Sequence, residues 1–475
     1  MSAIDQKLRR VFPDEVVNKR LGRTQQLDRL PKFISEYAAR ELVGEGEDSA
    51  TMSVLNNFVK QFYPEPKDKD RVLHEIMTRG DYTLLDEFKV RVDPTHGLRR
   101  VEIPSLQIRD AMIIPSLLEQ YKELLETGMW GTAKLSYQPM VLEDSDIPQT
   151  PIIITSFSPL QYSNVRVDDY KILRQEFTLP EWIDALMQTL GMNPDAYDER
   201  TKLIYISRLI PLIENNVNMM ELGPRATGKS YLYKNISYYT RLYSGGQVSP
   251  AVLFYHGTLR TLGDIAVRDL VVFDEVAKID FKNPDEVMGK FKDYMDSGDF
   301  ERGQLRKARS NCSLMFQGNI EIQGHLPAED FTAVIPECMK DSAFVDRIYG
   351  MVPGWEMPKI GQSEMHLTNG YGLITDYFCE IMHELRKESF VYTNSQKVEL
   401  GAEGGSLSIR DQKAIQRLAS GMMKILSPHD HNDREAMETA VRLAVEYRQT
   451  IHEWLCTLSP GEYKPKKITF KLKEA

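Results

Sequence analysis

The chain has 475 residues, 42% of them hydrophobic and 27% charged, with a net charge of −10; that length accommodates about three ordinary globular domains, and the acidic balance excludes a uniformly basic nucleic-acid coat while leaving room for a local basic strip. Cys312, Cys338, Cys379 and Cys456 are scattered without a CxxC pair, which argues against a zinc site and against a disulfide framework. No run of about 18 apolar residues and no signal-type start is present, so neither a membrane crossing nor export is expected, and a reducing cytoplasm is the expected compartment.

Residues 1–80 read as a helical subdomain. Leu30, Phe33, Ile34, Tyr37, Ala38 and Leu42 recur at steps of three and four, as do Val54, Phe58, Val59 and Phe62, the period of helices with one packed face. From residue 81 to 175 the period becomes two. Phe88, Val90 and Val92 alternate with Lys89 and Arg91, the turn sequence Asp93-Pro94-Thr95-His96-Gly97 follows, and Arg99, Val101 and Ile103 resume the alternation, which predicts a hairpin. Later strands are expected at 133–137 and 152–155, with the acidic stretch Glu143 to Pro148 as a surface loop. Lys89, Arg91 and Arg100 would line one side of a β-rich candidate DNA-binding domain, for which an OB-like form is one option. A solvated hairpin face is the alternative, because phosphate contact needs positioned cations and not merely cations.

Helical spacing returns between 179 and 216 and leads into Gly223-Pro224-Arg225-Ala226-Thr227-Gly228-Lys229-Ser230. This is a full phosphate-binding-loop pattern between an apolar run and a helix-capable stretch. In such a loop, successive backbone N–H groups face bound phosphates, the lysine reaches the outer phosphates, and the serine hydroxyl ligates Mg²⁺. The expected cofactors are therefore ATP and Mg²⁺. A second strand is expected at Ala251-Val252-Leu253-Phe254-Tyr255 and a third at Asp269 to Glu275. The third ends in two carboxylates, Asp274 to hold Mg²⁺ through water and Glu275 to polarise the attacking water. Ser313 to Asn319 reads as a fourth strand whose terminal amide, Asn319, orients that water. Arg347, before a fifth strand at 349–352, is a candidate for neutralising a neighbour's γ-phosphate, with a salt-bridge partner as the alternative. Residues 376–457 read as helical throughout. Ser408-Ile409-Arg410 opens the first helix of a lid, putting Arg410 near bound nucleotide.

With these motifs in this order, the chain resembles an AAA+ ATPase. More narrowly, Asp341 to Gly350 followed by Pro353-Gly354-Trp355-Glu356-Met357-Pro358-Lys359, with Gly223-Pro224-Arg225 and Met295-Asp296-Ser297-Gly298, resembles the BrxL family, the Lon-related AAA+ proteins of BREX phage-defence systems. The ATPase core of that family is in turn similar to that of MCM helicases.

The resemblance implies an α/β AAA+ core at 176–375, a helical lid at 376–460 and a basic tail at 461–475. It also implies a homo-oligomeric ring, a hexamer or a stacked double hexamer, that encircles double-stranded DNA, hydrolyses ATP between subunits and works with other BREX components. In that scheme Lys229, Ser230, Asp274 and Glu275 act in cis, Asn319 is a sensor, Arg347 is a finger supplied in trans and Arg410 is a second sensor. The segment Phe300 to Arg309 would be a pore hairpin tracking phosphates with Arg302, Arg306, Lys307 and Arg309, a solvated loop being the alternative. The family carries a Lon-like domain beyond the lid. The chain ends after the tail bearing Lys464, Lys466, Lys467, Lys471 and Lys473, so peptide hydrolysis by it is not expected. The competing functions are the unfoldase half of a protease and a DNA-bound scaffold that does not translocate.

Overall fold

The computed structural model describes residues 2–23, 27–43, 49–94, 96–139, 150–162, 164–258, 260–303, 305–361 and 365–473. The acidic stretch 143–148, Thr95 of the predicted turn, and the side chains of Leu42 and Arg306 fall outside what is described. Two compact units form: one from Met1–Val16, Arg166–Leu373 and Ile381–Ala475, the other from Val17–Val165 with Ile374–Glu380. Residues 1–80 are thus divided between them.

The second unit carries helices α1 (Lys32–Val43), α2 (Ser49–Phe62) and α3 (Lys69–Arg79) and a closed five-stranded barrel. Its strands are β1 (Asp81–Asp93), β2 (Leu98–Ile103), β3 (Ile108–Ile113), β4 (Met129–Tyr137) and β5 (Ile152–Pro159), in the order β1-β2-β3-β5-β4. Alternation decides the inside: Leu84, Phe88, Val90, Val101, Ile103, Ala111, Ala133, Leu135 and Ile154 are buried together, as period two requires of a closed sheet. The predicted hairpin is β1–β2, with Lys89 opposite Glu102 and Arg91 opposite Arg100.

The other unit is built on a parallel sheet of β6 (Asn218–Gly223), β7 (Thr240–Val248), β8 (Leu270–Phe281), β11 (Ser313–Asn319) and β12 (Gly350–Val352), ordered β12-β6-β11-β8-β7. Between β8 and β11 come α7 (Pro284–Ser297) and an antiparallel hairpin, β9 (Asp299–Arg302) with β10 (Leu305–Arg309). Val271, Phe273, Leu314, Phe316, Met220 and Met351 are wholly buried, the near-continuous apolar reading of a parallel sheet covered on both faces. Helices α4 (Leu179–Thr189) and α5 (Glu199–Ser207) precede the sheet, α6 (Lys229–Asn235) follows β6, and α8 (Ile409–Leu426) with α9 (Arg434–Leu458) closes the unit.

Two expectations are corrected here. Ala251 to Tyr255 is not the second parallel strand: Pro250 opens a short helix, Pro250–Leu253, because proline suits the first helical turn and cannot donate to a sheet ladder. The strand is β7, which reads as polar because it lies at the sheet edge and much of it is exposed. Residues 376–457 are not helical throughout either. Val398, Leu400 and Ala402 alternate with Glu399, Gly401 and Glu403 to make β13 (Val398–Glu403), which pairs antiparallel with β14 (Lys467–Leu472) from the basic tail, Glu399 opposite Lys471 and Glu403 opposite Lys467.

Candidate nucleotide site

Strand register assembles the site at the C-terminal ends of the three central strands, β6, β11 and β8. Asn319 ends β11 directly opposite Gly223, where β6 becomes the loop, and the Ile320 N–H donates to the Gly223 carbonyl at 3.3 Å. On the other side of β11, Phe273 pairs with Phe316, so Asp274 and Glu275 emerge at the same end of the sheet. The loop, both carboxylates and Asn319 are therefore brought together.

The loop backbone is held from behind. A Cβ at Gly223 would run into the Gly354 carbonyl, so a side chain is excluded there. Ala226 (φ 65°) and Gly228 (φ 78°) adopt left-handed backbone, a conformation that costs a residue with a Cβ. Arg208, wholly buried, donates from Nε and Nη2 to the Glu221 carboxylate at 3.1 and 2.6 Å and from Nη1 to the Thr227 carbonyl at 3.0 Å. Ile360 closes the front, its N–H donating to the Ala226 carbonyl at 2.7 Å.

Lys229 is buried, and its ammonium donates to the Gly223 and Pro224 carbonyls at 2.9 and 2.8 Å. Burial lowers its pKa, while Glu221 and Asp274 act to raise it. Such an ammonium, held by the carbonyls of the loop itself, fits the outer phosphates of a nucleotide. Asp274 is buried and accepts from the Glu275 N–H at 3.0 Å and from Ser244 Oγ at 3.4 Å. Glu275 sits at φ 49°, also left-handed, where β8 loses register with β7 between Asp274 and Ile279. Its carboxylate accepts from exposed Lys278 at 3.0 and 3.1 Å. Ser230 lies in the first turn of α6, partly exposed. These residues fit a nucleotide with a divalent ion.

Arg347 and Arg410 are not brought to this end of the sheet. Asn218, the first residue of β6, donates to the Arg347 carbonyl at 3.4 Å; five residues of strand, about 16 Å, separate it from Gly223. Arg347 Nη1 donates to the Ala343 carbonyl at 2.6 Å. Arg410 Nη1 bonds Asp346 Oδ2 at 2.8 Å, beside Arg347 and away from its own chain's loop. Asp346 also takes Arg448 Nη2 at 2.6 Å, and Arg448 Nε meets Asp411 Oδ1 at 2.8 Å.

In the β9–β10 hairpin, Lys307 and Arg309 are about three-quarters exposed, both pairing with Asp299. Arg302 turns inward, donating to the Tyr255 carbonyl at 2.6 Å and to Glu286 at 3.3 Å. Phe300 is buried against Phe254 and Tyr294. On the barrel, Arg91 pairs with Glu102 at 2.7 Å and Arg100 with Asp93 at 3.3 Å, while Lys89 is partly exposed. Sequence reasoning missed Arg208, Glu221, Gly354 and Ile360. One signal existed: Glu221 is an acid inside the apolar run that introduces the loop.

The parallel sheet, the loop at the end of its strands and the carboxylates beside it define a mixed α/β protein with an ATPase domain. A family model described as "Lon-like protease BrxL-like, ATPase domain" matches residues 152–469, and one described as "BREX system Lon protease-like protein BrxL N-terminal" matches residues 10–137. The chain belongs to the BrxL family. It is similar to the Lon-like protease BrxL of Escherichia coli O9:H4 (strain HS), 34% identical over 469 residues, which cover 97% of the chain and 66% of that relative. It is also similar to the Lon-like protease BrxL of Bacillus cereus (strain H3081.97), 32% identical over 475 residues, covering 98% of the chain and 68% of the relative. The chain spans about two thirds of the length of these curated relatives. Among the described residues, no helix is long and apolar enough to cross a membrane.

Proposed function

We propose that this chain is an AAA+ ATPase that works as a ring on double-stranded DNA in BREX defence, with an OB-like barrel preceding its core and α8–α9 as a helical lid. The observation that carries the ring is the distance between the loop and Arg347. Lys229, Ser230, Asp274, Glu275 and Asn319 lie at the C-terminal end of the sheet's central strands, whereas Arg347 and Arg410 stand at the opposite end, around Asp346. An arginine that completes the site must come from a neighbour. Arg410, expected beside its own chain's nucleotide, is accordingly assigned with Arg347 to the neighbour's site.

Bound Mg²⁺ supplies charge neutralisation across the phosphates. The loop and Lys229 bind and orient the polyphosphate, Ser230 and Asp274 hold the ion, Glu275 takes the proton of the attacking water, and Asn319 fixes that water's position. Lys307 and Arg309 are exposed cations on β10, which leads directly into β11, so DNA grip lies one short connection from the strand that positions the water. The unfoldase alternative needs an exposed aromatic grip. Phe300, the aromatic residue of that segment, is buried, which favours DNA.

The deciding experiment mixes two inactive proteins. Lys229→Ala and Arg347→Ala subunits, combined in equal amounts, should restore about a quarter of wild-type ATPase activity, because that fraction of shared sites draws both groups from intact partners. No recovery would mean that hydrolysis does not use a neighbour's Arg347. Running the wild type with and without double-stranded DNA tests the partner: neither binding nor a change in turnover would remove DNA from the reading.

A further inference from the structure

Gln317 lies in the middle of β11, wholly buried, and neither Oε1 nor Nε2 of its side chain has a hydrogen-bond partner among the described residues. A buried amide without partners forfeits its hydration and gains nothing in return. Substituting an apolar side chain of the same size would relieve that cost, so its presence calls for an explanation.

Its position supplies one. Gln317 pairs in register with Glu221 on β6, and one step past the Phe273–Phe316 pair it has Asp274 on β8 as its neighbour. Residues level with one another on adjacent strands point to the same face, so the amide lies between two carboxylates. The Lys229 ammonium donates to the Gly223 carbonyl, two residues past Glu221 on β6 and opposite Asn319, which brings it to the loop end of the same strands. Asn319, two residues on, shares the face.

We propose that Gln317 is a positioning residue of the nucleotide site, its amide completed only when Mg²⁺ and nucleotide are bound. In that state Oε1 accepts from the Lys229 ammonium and Nε2 donates to the Asp274 carboxylate, tying the phosphate-binding cation to the metal-binding acid. Neither bond is made in the structure described, where Lys229 turns to the Gly223 and Pro224 carbonyls instead. The amide's unmet bonds thereby become part of the affinity for nucleotide. This rests on the ATPase reading above.

The test uses the full chain and thermal denaturation, without ligand and with Mg²⁺ plus ADP or a hydrolysis-resistant ATP analogue. Gln317→Met is expected to melt no lower than wild type when free and to gain much less from nucleotide, with its Kd for Mg²⁺-nucleotide raised about tenfold. A Met variant that gains as much from nucleotide as wild type overturns the inference, since a merely structural glutamine predicts that result. If Gln317→Met does not fold, Gln317→Asn, which keeps the amide but shortens its reach, carries the test: weaker affinity supports the role and wild-type affinity overturns it. Should wild type itself show no response to nucleotide, the ATPase reading fails first, and the two failures are distinguishable.

Discussion

At the loop end of the parallel sheet, Ala226, Gly228 and Glu275 hold left-handed backbone, and the buried Gln317 amide has no hydrogen-bond partner among the described residues. At the opposite end of the strands, Asp346 and Asp411 are both bonded to Arg448, with Arg410 and Lys466 completing the set. The loop end keeps strained backbone and an unmet amide beside the phosphate-binding loop; the other end pairs its carboxylates with buried cations, while Arg347 Nε and Asn218 Oδ1 there also have no partner among the described residues. The same sheet thus separates an open end, where the nucleotide reading places a ligand, from one whose carboxylates are closed by ion pairs. The comparison can be broken by showing that the closed end is dispensable for stability, or that the open end does not respond to nucleotide.

The largest expected effect lies at the closed end. Arg448→Ala leaves Asp346 and Asp411 without their shared buried cation, and removing one partner of such a set costs about 3–5 kcal/mol, read by chemical denaturation. The acid side of the stability curve should change with it. Burial raises the pKa of Asp411, but Arg448 and Lys466 outweigh it and hold the carboxyl well below the usual range. A depressed folded pKa contributes stability that is complete above the unfolded value of about 3.9 and drains as the pH falls below it. Arg448→Ala should therefore lose part of that slope below about pH 4. A variant with wild-type stability and an unchanged acid limb would mean that the network is ornamental.

At the open end the effect falls on chemistry instead. Glu275→Gln keeps the shape and removes the base, so nucleotide affinity should hold while turnover falls by at least about 100-fold. Lys229→Ala should weaken binding itself. Equal loss of binding in both variants would contradict the division between a loop that grips and a strand end that reacts.

The residues nominated from the sequence at the open end do come together, whereas the ion network of the closed end was not nominated at all, for a physical reason. Phosphate chemistry constrains a contiguous run, Gly223 to Ser230, and short strand ends at Asp274 and Asn319, so local pattern suffices. Strand order is not local: only the register of β11 between β6 and β8 brings Gln317 between Glu221 and Asp274, and no spacing in the chain announces it. β7 escaped notice because an edge strand need not be apolar. The ion network failed to read for the same reason as the strand order, since Asp346, Asp411 and Arg448 are up to about a hundred residues apart and meet only when α8 and α9 pack beside β12.

The smallest expected change in stability concerns the hairpin, where function and fold separate most cleanly. Lys307 and Arg309 are mostly exposed and share only Asp299 as an ionic partner, so either alanine variant should alter stability by less than about 0.5 kcal/mol. If they neutralise phosphates, each substitution should weaken DNA binding uniformly across sequences and lower the slope of log affinity against log salt by about one. Arg302 is a poor probe for the same question, because its bonds to Tyr255 and Glu286 make its loss a structural injury as well. Lys307→Ala with unchanged DNA affinity and salt slope would detach the hairpin from DNA. It would also leave the strand that carries Gln317 and Asn319 without a route by which nucleotide state reaches that partner.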